Sequence, residues 1–407
     1  MDVLEAKEIV IRAGKELLKS GLIVRTWGNI SCRISDTQFV ITPSGMAYED
    51  LTPDTIVVVN IADCSYEGDI KPSSEKGIHA GCYAMRPDVN FVIHTHQKNA
   101  SVVGTLGLDI NNIMGKDAEI IGDNVPVAAY GLPGTGKLRQ GVMDALKRSD
   151  SKAALMAHHG AVCLGADYDE AKAVAEALER VCERFLVARA CEVSGQAIDA
   201  LGGVVDYLTA VFTSDPKYKA AKEFAPCDST RKGGYFYVGE PGKDAAIIDT
   251  KSGAWVGGSP EIPDSADLHW AIYKKRGDVN FIRHSKNEFA VAVSRKGKKM
   301  RPLLDDFAQL CGPTVKCAAF SPDNTLKTAK KVARALGKNN AVLVKDNGAL
   351  CVADSEYNAE AVEHVMDKAC RAAVGADLYD RVGCINPFEA RLMRFIYQKK
   401  YSKKAGK

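Results

Sequence analysis

The feature that most constrains the fold is a long-range repeat within the 407 residues of the chain. Residues 276–284 (RGDVNFIRH) match residues 86–94 (RPDVNFVIH) at an offset of 190. Farther along, residues 347–351 (NGALC) match residues 159–163 (HGAVC) at an offset of 188. Self-similarity over such a distance is typical of a duplicated domain. The predicted division is a first domain at 1–202, a connecting segment at 203–230 and a second domain at 231–407.

In the first copy, a short apolar run at 91–93 ends in His94 and His96. Side chains at i and i+2 of an extended segment point to the same face, so these two imidazoles can converge. Two imidazoles are half of a zinc shell, and two other segments offer further ligands. They are Glu75, at the head of a predicted helix, and the pair His158-His159 after an apolar run. We therefore predict a metal site, with histidines satisfied in the core at sheet ends as the alternative.

A phosphate pocket is predicted beside this site. Ser73 and Ser74 precede Glu75 at the helix start, where free N–H groups and hydroxyls favour an anion. The loops 28–31 (GNIS) and 42–45 (TPSG) add glycines and short hydrogen-bonding side chains, although ordinary turns have the same composition. Glu75 has the alternative role of complementing the helix dipole, and His79, one turn later, is a supporting partner or a core residue.

Other features exclude several classes of function. The segment 131–137 (GLPGTGK) approaches a phosphate-binding loop of nucleotide-binding proteins, but Leu138 replaces the required Ser or Thr, so a glycine-rich turn into a helix is predicted. The net charge of +3 is spread over both signs and predicts no nucleic-acid partner. The acidic N-terminus and the lack of long apolar runs predict neither a secretory signal nor a membrane partner. The twelve scattered cysteines are typical of a reducing compartment, so we expect a cytoplasmic protein.

The motif order GNxS, TPSG, SSE, HxH and HHG over residues 1–200 resembles the class II aldolase/adducin family. The resemblance implies a three-layer α/β/α domain with a mostly antiparallel central sheet, here duplicated. It implies a divalent metal, Zn²⁺ first and Mn²⁺ or Co²⁺ as alternatives. The ligands it implies are Glu75, His94, His96 and His159. The phosphate contacts it implies are Asn29, Ser44, Gly45, Ser73 and Ser74.

The implied activity is that of a metal-dependent aldolase, a lyase that cleaves a phosphorylated ketose to dihydroxyacetone phosphate and an aldehyde. Glu75 would be the general base. The catalytic tyrosine that fuculose-phosphate aldolases of this family carry after the HxH strand is absent from 111–119, so Glu119, or Asp117, would take that proton-transfer role. Epimerisation or dehydration of a sugar phosphate on the same metal site is one alternative, and a non-enzymatic adducin-like interaction protein is another.

The second copy has lost the predicted ligands. The offsets match His94 with His284, but they place Lys286 at the position of His96, Asn347 at that of His159 and Ser265 at that of Glu75. One imidazole beside an ammonium group is not a zinc site. Because active sites of the family lie between subunits of a four-fold ring, we expect a homo-oligomer in which two duplicated chains form the equivalent ring. Tyr397 and Tyr401 are candidate donors to a neighbouring subunit's site.

Overall fold

A computed structural model describes residues 1–379 and 382–400, so Tyr401 lies outside the described residues. The chain separates into two units, Met1–Glu192 and Val193–Lys407. The predicted connecting segment, 203–230, contains most of a helix and the start of a strand, both within the second unit. No helix among the described residues is long and apolar enough to cross a membrane.

The first unit begins with an amphipathic helix, which ends where Gly21 adopts a left-handed conformation with φ of 77°. Its helices are α1 Val3–Ser20, α2 Lys76–Met85, α3 Lys98–Gly104, α4 Lys116–Ile121, α5 Gly136–Lys147 and α6 Tyr168–Ser194. Its strands are β1 Asn29–Arg33, β2 Gln38–Ile41, β3 Val57–Asn60, β4 Phe91–Thr95, β5 Val127–Ala128, β6 Ala153–Met156 and β7 Ala161–Gly165.

These seven strands form one sheet in the order β3-β2-β1-β4-β7-β6-β5. Every neighbouring pair is antiparallel except β5 and β6. All five residues of the central strand β4 are buried, which explains the apolar run at 91–93 with which it begins. Helices α2 and α5 bury their apolar sides against one face of the sheet, and α1 and α3 pack on the other. The predicted metal site therefore lies at the end of a fully buried central strand.

The second unit repeats this arrangement. Its helices are α7 Leu201–Thr213, α8 Ala266–Lys275, α9 Glu288–Arg295, α10 Asp305–Leu310, α11 Thr325–Leu336, α12 Glu356–Asp377 and α13 Pro387–Lys400. Its strands are β8 Asp228–Lys232, β9 Tyr235–Gly239, β10 Ala246–Asp249, β11 Trp255–Gly258, β12 Phe281–Ser285, β13 Cys317–Ala318, β14 Ala341–Val344 and β15 Ala349–Ala353.

The second sheet has the order β11-β10-β9-β8-β12-β15-β14-β13, which is the first order with one strand added at an edge. Its single parallel pair, β13 and β14, occupies the same place as β5 and β6. Helices α8 and α11 cover one face, as α2 and α5 do in the first unit. The prediction of a duplicated, layered α/β domain with a mostly antiparallel sheet is confirmed.

Candidate metal centre

Three imidazoles are brought together by strand β4 and the neighbouring β6-β7 hairpin of the first sheet. Strand β4 carries His94, and His96 follows one residue beyond its end. His159 lies in the turn between β6 and β7, directly after His158, whose φ of 62° is left-handed. That turn directs His159 to the other two imidazoles, while the ring of His158 packs edge-on against Tyr130 at 5.4 Å. Of the two candidates in the HHG motif, the structure therefore places His159 in the cluster.

The reactive nitrogens of the cluster face one point. The Nε2 atom of His94 lies 3.1 Å from Nε2 of His96 and 3.1 Å from Nε2 of His159. A tetrahedral zinc ion with bonds of 2.0–2.1 Å to nitrogen separates its nitrogen ligands by about 3.3 Å. The spacing in the protein is close to that value. These three histidines also form a group whose ligand atoms lie mutually within 4.8 Å.

Glu75 completes the cluster from the start of α2. It is the residue before the first helical position, and its side chain makes no capping hydrogen bond. Instead, its Oε2 lies 3.2 Å from Nε2 of His94, and its Oε1 lies 3.1 Å from Nε2 of His159. Burial would raise the pKa of Glu75, but the imidazoles of His94 and His159 hold it well below its ordinary value. Glu75 is thus a buried carboxylate directed at the cluster.

The donor set fits a divalent metal ion. The Nδ1 atom of His94 lies 2.9 Å from the carbonyl oxygen of Ala161 and donates to it, so the lone pair of Nε2 faces the cluster. A carboxylate and several imidazole lone pairs directed at one point repel one another unless a cation lies among them. Histidine and carboxylate ligands of this kind suit zinc and other first-row divalent ions.

A buried hydrogen-bond network supports Glu75 from behind. Asn29, which pairs with His94 across β1 and β4, donates from Nδ2 to Oε2 of Glu75 at 3.0 Å. Its Oδ1 lies 2.5 Å from Nε2 of His79, and Nδ1 of His79 lies 2.6 Å from Oγ of Ser31. The same Ser31 oxygen lies 2.7 Å from the hydroxyl of Tyr83. Tyr83 was not predicted from the sequence, because nothing local indicates contacts between residues about fifty positions apart.

Two of the segments predicted to bind phosphate, 42–45 and 73–75, lie side by side. The backbone N–H of Ser44 donates to the carbonyl of Lys71 at 2.9 Å, and that of Ser73 donates to the carbonyl of Thr42 at 3.0 Å. Gly45 adopts φ of 73°, and the hydroxyl of Ser73 accepts from the N–H of Glu75 at 3.2 Å. Ser74 and Gly45 are exposed, whereas Ser73 is buried. Both segments thus adjoin Glu75.

The two acidic residues predicted after the HxH strand differ in their surroundings. Asp117 lies on α4 and accepts from Arg180 at 2.8 Å and from Arg184 at 2.5 Å, both on α6. Glu119, on the same helix, is exposed. No hydrogen bond or ion pair joins its side chain to the histidine cluster or to another described residue.

The equivalent place in the second unit has a different chemistry. His284 lies with Nε2 only 2.6 Å from the carbonyl oxygen of Asn347, and the amide Oδ1 of Asn347 accepts from the N–H of Phe224 at 3.1 Å. Lys286 donates to the carbonyl of Phe224 at 2.7 Å, and the Phe224 ring lies 5.3 Å from that of His284. The segment that leads into β8 therefore packs against the three residues that correspond to the histidine cluster of the first unit.

Comparison with known proteins places this arrangement in a family. A family model described as the class II aldolase and adducin N-terminal domain matches residues 8–186 and again 235–374. The chain belongs to the class II aldolase and adducin family. The two matched segments lie one in each unit, so both copies carry the family's sequence pattern.

Named relatives of this class II aldolase family match part of the chain. A 5-methylthioribulose-1-phosphate/5-deoxyribulose-1-phosphate aldolase from Escherichia coli O45:K1 is 34% identical over 186 residues, which are 46% of this chain and 85% of the relative. An L-fuculose phosphate aldolase from Escherichia coli O6:H1 is 36% identical over 171 residues, 42% of this chain and 78% of the relative. A solved L-fuculose 1-phosphate aldolase is 28% identical, with a TM-score of 0.44 over 48% of this chain and 89% of its own. The prediction of an enzyme of the aldolase class is confirmed.

Proposed function

We propose that the first unit is a metal-dependent aldolase that cleaves a phosphorylated ketose to dihydroxyacetone phosphate and an aldehyde. The observation that supports this most directly is the convergence of Glu75 on His94 and His159 beside the paired phosphate loops. The relatives are named as aldolases of 5-deoxyribulose 1-phosphate and of L-fuculose phosphate, which are both phosphorylated ketoses, and the first name places the phosphate at carbon 1. We therefore propose a ketose 1-phosphate as the substrate class.

The metal would be held by His94, His96 and His159, with Glu75 as the fourth ligand, and we propose zinc as the ion. A divalent ion held there supplies Lewis-acid polarisation of the ketose carbonyl, which stabilises the negative charge that develops as the neighbouring carbon–carbon bond breaks.

Other residues of the chain would bind the substrate phosphate and transfer the proton. Ser44, Ser73 and Ser74 would bind the phosphate with Gly45 allowing close approach, and this contact remote from the reacting carbons holds the substrate in register. The second Nδ2 hydrogen of Asn29, the one not directed at Glu75, is available to the same phosphate. Glu75 would be displaced from its place as a ligand by the bound substrate, and its freed carboxylate would accept the substrate hydroxyl proton as the carbon–carbon bond breaks.

Glu119 is the proposed donor or acceptor for the second proton transfer. Its carboxylate is exposed on α4 and is not engaged by the ion pairs that hold Asp117, so we propose that it exchanges a proton with the substrate. We propose Glu119→Gln as the test, measured by steady-state turnover. A role in proton transfer predicts a fall in kcat of about 10²-fold or more. Unchanged kcat would remove Glu119 from the mechanism.

The experiment that tests the proposed function combines metal content with product release. The full chain would be purified beside a His94→Ala/His96→Ala variant, and both would be assayed for dihydroxyacetone phosphate released from a panel of ketose 1-phosphates. His284→Ala is the matched control, because it removes the corresponding imidazole of the second unit. We expect metal and activity in the unaltered chain and in His284→Ala, and neither in the double variant.

Two results would contradict the proposal. Absence of bound metal after zinc, manganese or cobalt is supplied would exclude the metal-dependent reaction and favour an interaction protein. Bound metal without cleavage of any ketose 1-phosphate would exclude the aldolase reaction and favour epimerisation or dehydration on the same site.

A further inference from the structure

The hydrogen bonds behind Glu75 have only one self-consistent direction. A carboxylate requires a donor, so Asn29 presents Nδ2 to Glu75 and its acceptor Oδ1 to His79. His79 must then donate from Nε2, which leaves its Nδ1 as an acceptor for the hydroxyl of Ser31. Ser31 Oγ in turn accepts from the Tyr83 hydroxyl. Every member is buried, so reversing one link leaves a buried donor or acceptor unpaired.

The second unit retains half of this network. Ser229 lies 2.7 Å from Nδ1 of His269 and 2.8 Å from the hydroxyl of Tyr273, matching Ser31, His79 and Tyr83. Strand register places Cys227 where the first unit has Asn29, because Ser229 pairs with Ile282 as Ser31 pairs with Val92. The Nε2 atom of His269 is buried and has no hydrogen-bond partner among the described residues. The serine-histidine-tyrosine trio thus leads through an asparagine to a carboxylate in the first unit, and it ends at the histidine in the second.

We propose that His79 is a positioning residue of the first unit, whose Nε2–H fixes the Asn29 amide so that Nδ2 stays aimed at Glu75. Ser31 acts through His79, because its hydroxyl selects the imidazole tautomer that carries the Nε2 proton. This inference rests on the proposed function, since it concerns the orientation of a carboxylate proposed as ligand and base. The network therefore adds a role in metal binding to the packing role that the same trio has in the second unit.

Two substitutions separate the positioning role from packing. In His79→Gln, the side-chain amide reaches the Nε2 position and can still donate to Asn29. In His79→Asn, the shorter amide reaches the Nδ1 position and can still accept from Ser31, but the link to Asn29 is lost.

Zinc affinity of the full-length chain would be measured by competition with a chromogenic chelator, which requires no substrate. Hydrogen-bond partners of metal ligands affect metal affinity by about 10- to 100-fold. We expect a loss of that size in His79→Asn and recovery of most of it in His79→Gln.

The second unit supplies matched control variants, and Ser31 supplies a second test of the same link. His269→Asn and His269→Gln disturb the same trio where no carboxylate follows, so we expect lower thermal stability and unchanged zinc affinity. If the His79 variants do not fold, Ser31→Ala with Ser229→Ala as its control tests the same link, and only Ser31→Ala should weaken zinc, by about tenfold. The positioning role would be overturned if His79→Asn and His79→Gln bound zinc as tightly as the unaltered chain, or if Ser31→Ala did. Either result would leave the proposed function standing. An unaltered chain that binds no zinc would overturn the proposed function together with this inference.

Discussion

The buried histidines His79 and His269 make the stability of the chain depend on pH. Burial lowers the pKa of His79 to about 3, with a smaller contribution from His94, and burial with His284 lowers the pKa of His269 to about 3. Both are therefore neutral in the folded chain, while an unfolded histidine titrates near pH 6.5. Between these values the unfolded chain binds more protons, so the free energy of unfolding falls as the pH falls.

Replacing His269 by Gln should flatten this dependence in the second unit. One histidine contributes a slope of up to about 1.4 kcal/mol per pH unit, so the loss of stability between about pH 6.5 and about pH 5 should shrink by about 2 kcal/mol. Urea unfolding followed by tryptophan fluorescence measures this, because Trp255 and Trp270 lie in the second unit. Tyr273→Phe disturbs the same trio without removing the imidazole and should keep the original slope. A His269→Gln slope equal to that of the unaltered chain would contradict the assignment of a neutral His269.

At the scale of the element, the close approach of hairpin β6-β7 to strand β4 positions His159. A Cβ atom on Gly160 would overlap the carbonyl oxygen of Thr95, the last residue of β4, and one on Gly348 would overlap the carbonyl oxygen of Ser285 in the second unit. Gly160→Ala should therefore push the hairpin from β4 and displace His159. We expect destabilisation by about 1–3 kcal/mol and weaker zinc binding, measured by thermal unfolding and chelator competition. Gly348→Ala, where a φ of 77° adds backbone strain, should cost at least as much stability without changing zinc affinity. Equal zinc effects would refute the argument.

Helix α4 is held to α6 by the ion pairs of Asp117. Burial would raise the pKa of Asp117, but Arg180 and Arg184 hold it below its ordinary value. A lowered carboxyl pKa contributes stability above the unfolded pKa of about 3.9, and the contribution is lost as the pH falls. Asp117→Asn should lower the free energy of unfolding by about 1 kcal/mol at neutral pH, with the difference closing below about pH 4. Glu119→Gln, on the same helix, should change stability by less than about 0.5 kcal/mol. A difference that persists in acid would show that Asp117 acts through packing instead.

Local patterns predicted the elements better than they predicted their contacts. The apolar spacing over residues 3–20, with Gly21 as a stop, predicts a helix with the bounds that α1 has, because both signals are local. The apolar composition of residues 125–130 predicts a strand there, but β5 is only Val127–Ala128, since pairing with β6 decides where it begins and ends. The ligand types were evident from sequence, but the link from Asn29 to His79 requires a sheet register that no local pattern contains.

At the scale of the whole molecule, duplication halves the number of chains needed to build a ring of four domains. A family ring built from four single domains corresponds to two molecules of a chain with two such units, so we predict a homo-oligomer. Light scattering coupled to size-exclusion chromatography would measure the mass in solution. We expect a dimer, about twice the chain mass of 43.8 kDa. A strictly monomeric mass at micromolar concentration would contradict the prediction.

Duplication without duplicated chemistry predicts about one metal ion per chain. In the second unit, Asn347 and Lys286 hold the Phe224 segment against His284, and Ser265 supplies no carboxylate. Lys286→His/Asn347→His restores two imidazoles but neither the carboxylate nor the space taken by the Phe224 ring. Zinc measured by inductively coupled plasma mass spectrometry should therefore stay near one per chain in that variant, and adding His94→Ala/His96→Ala should remove it. Two ions per chain in the restored variant would show that the second unit lost its metal through its ligands alone, with Phe224 following as a consequence.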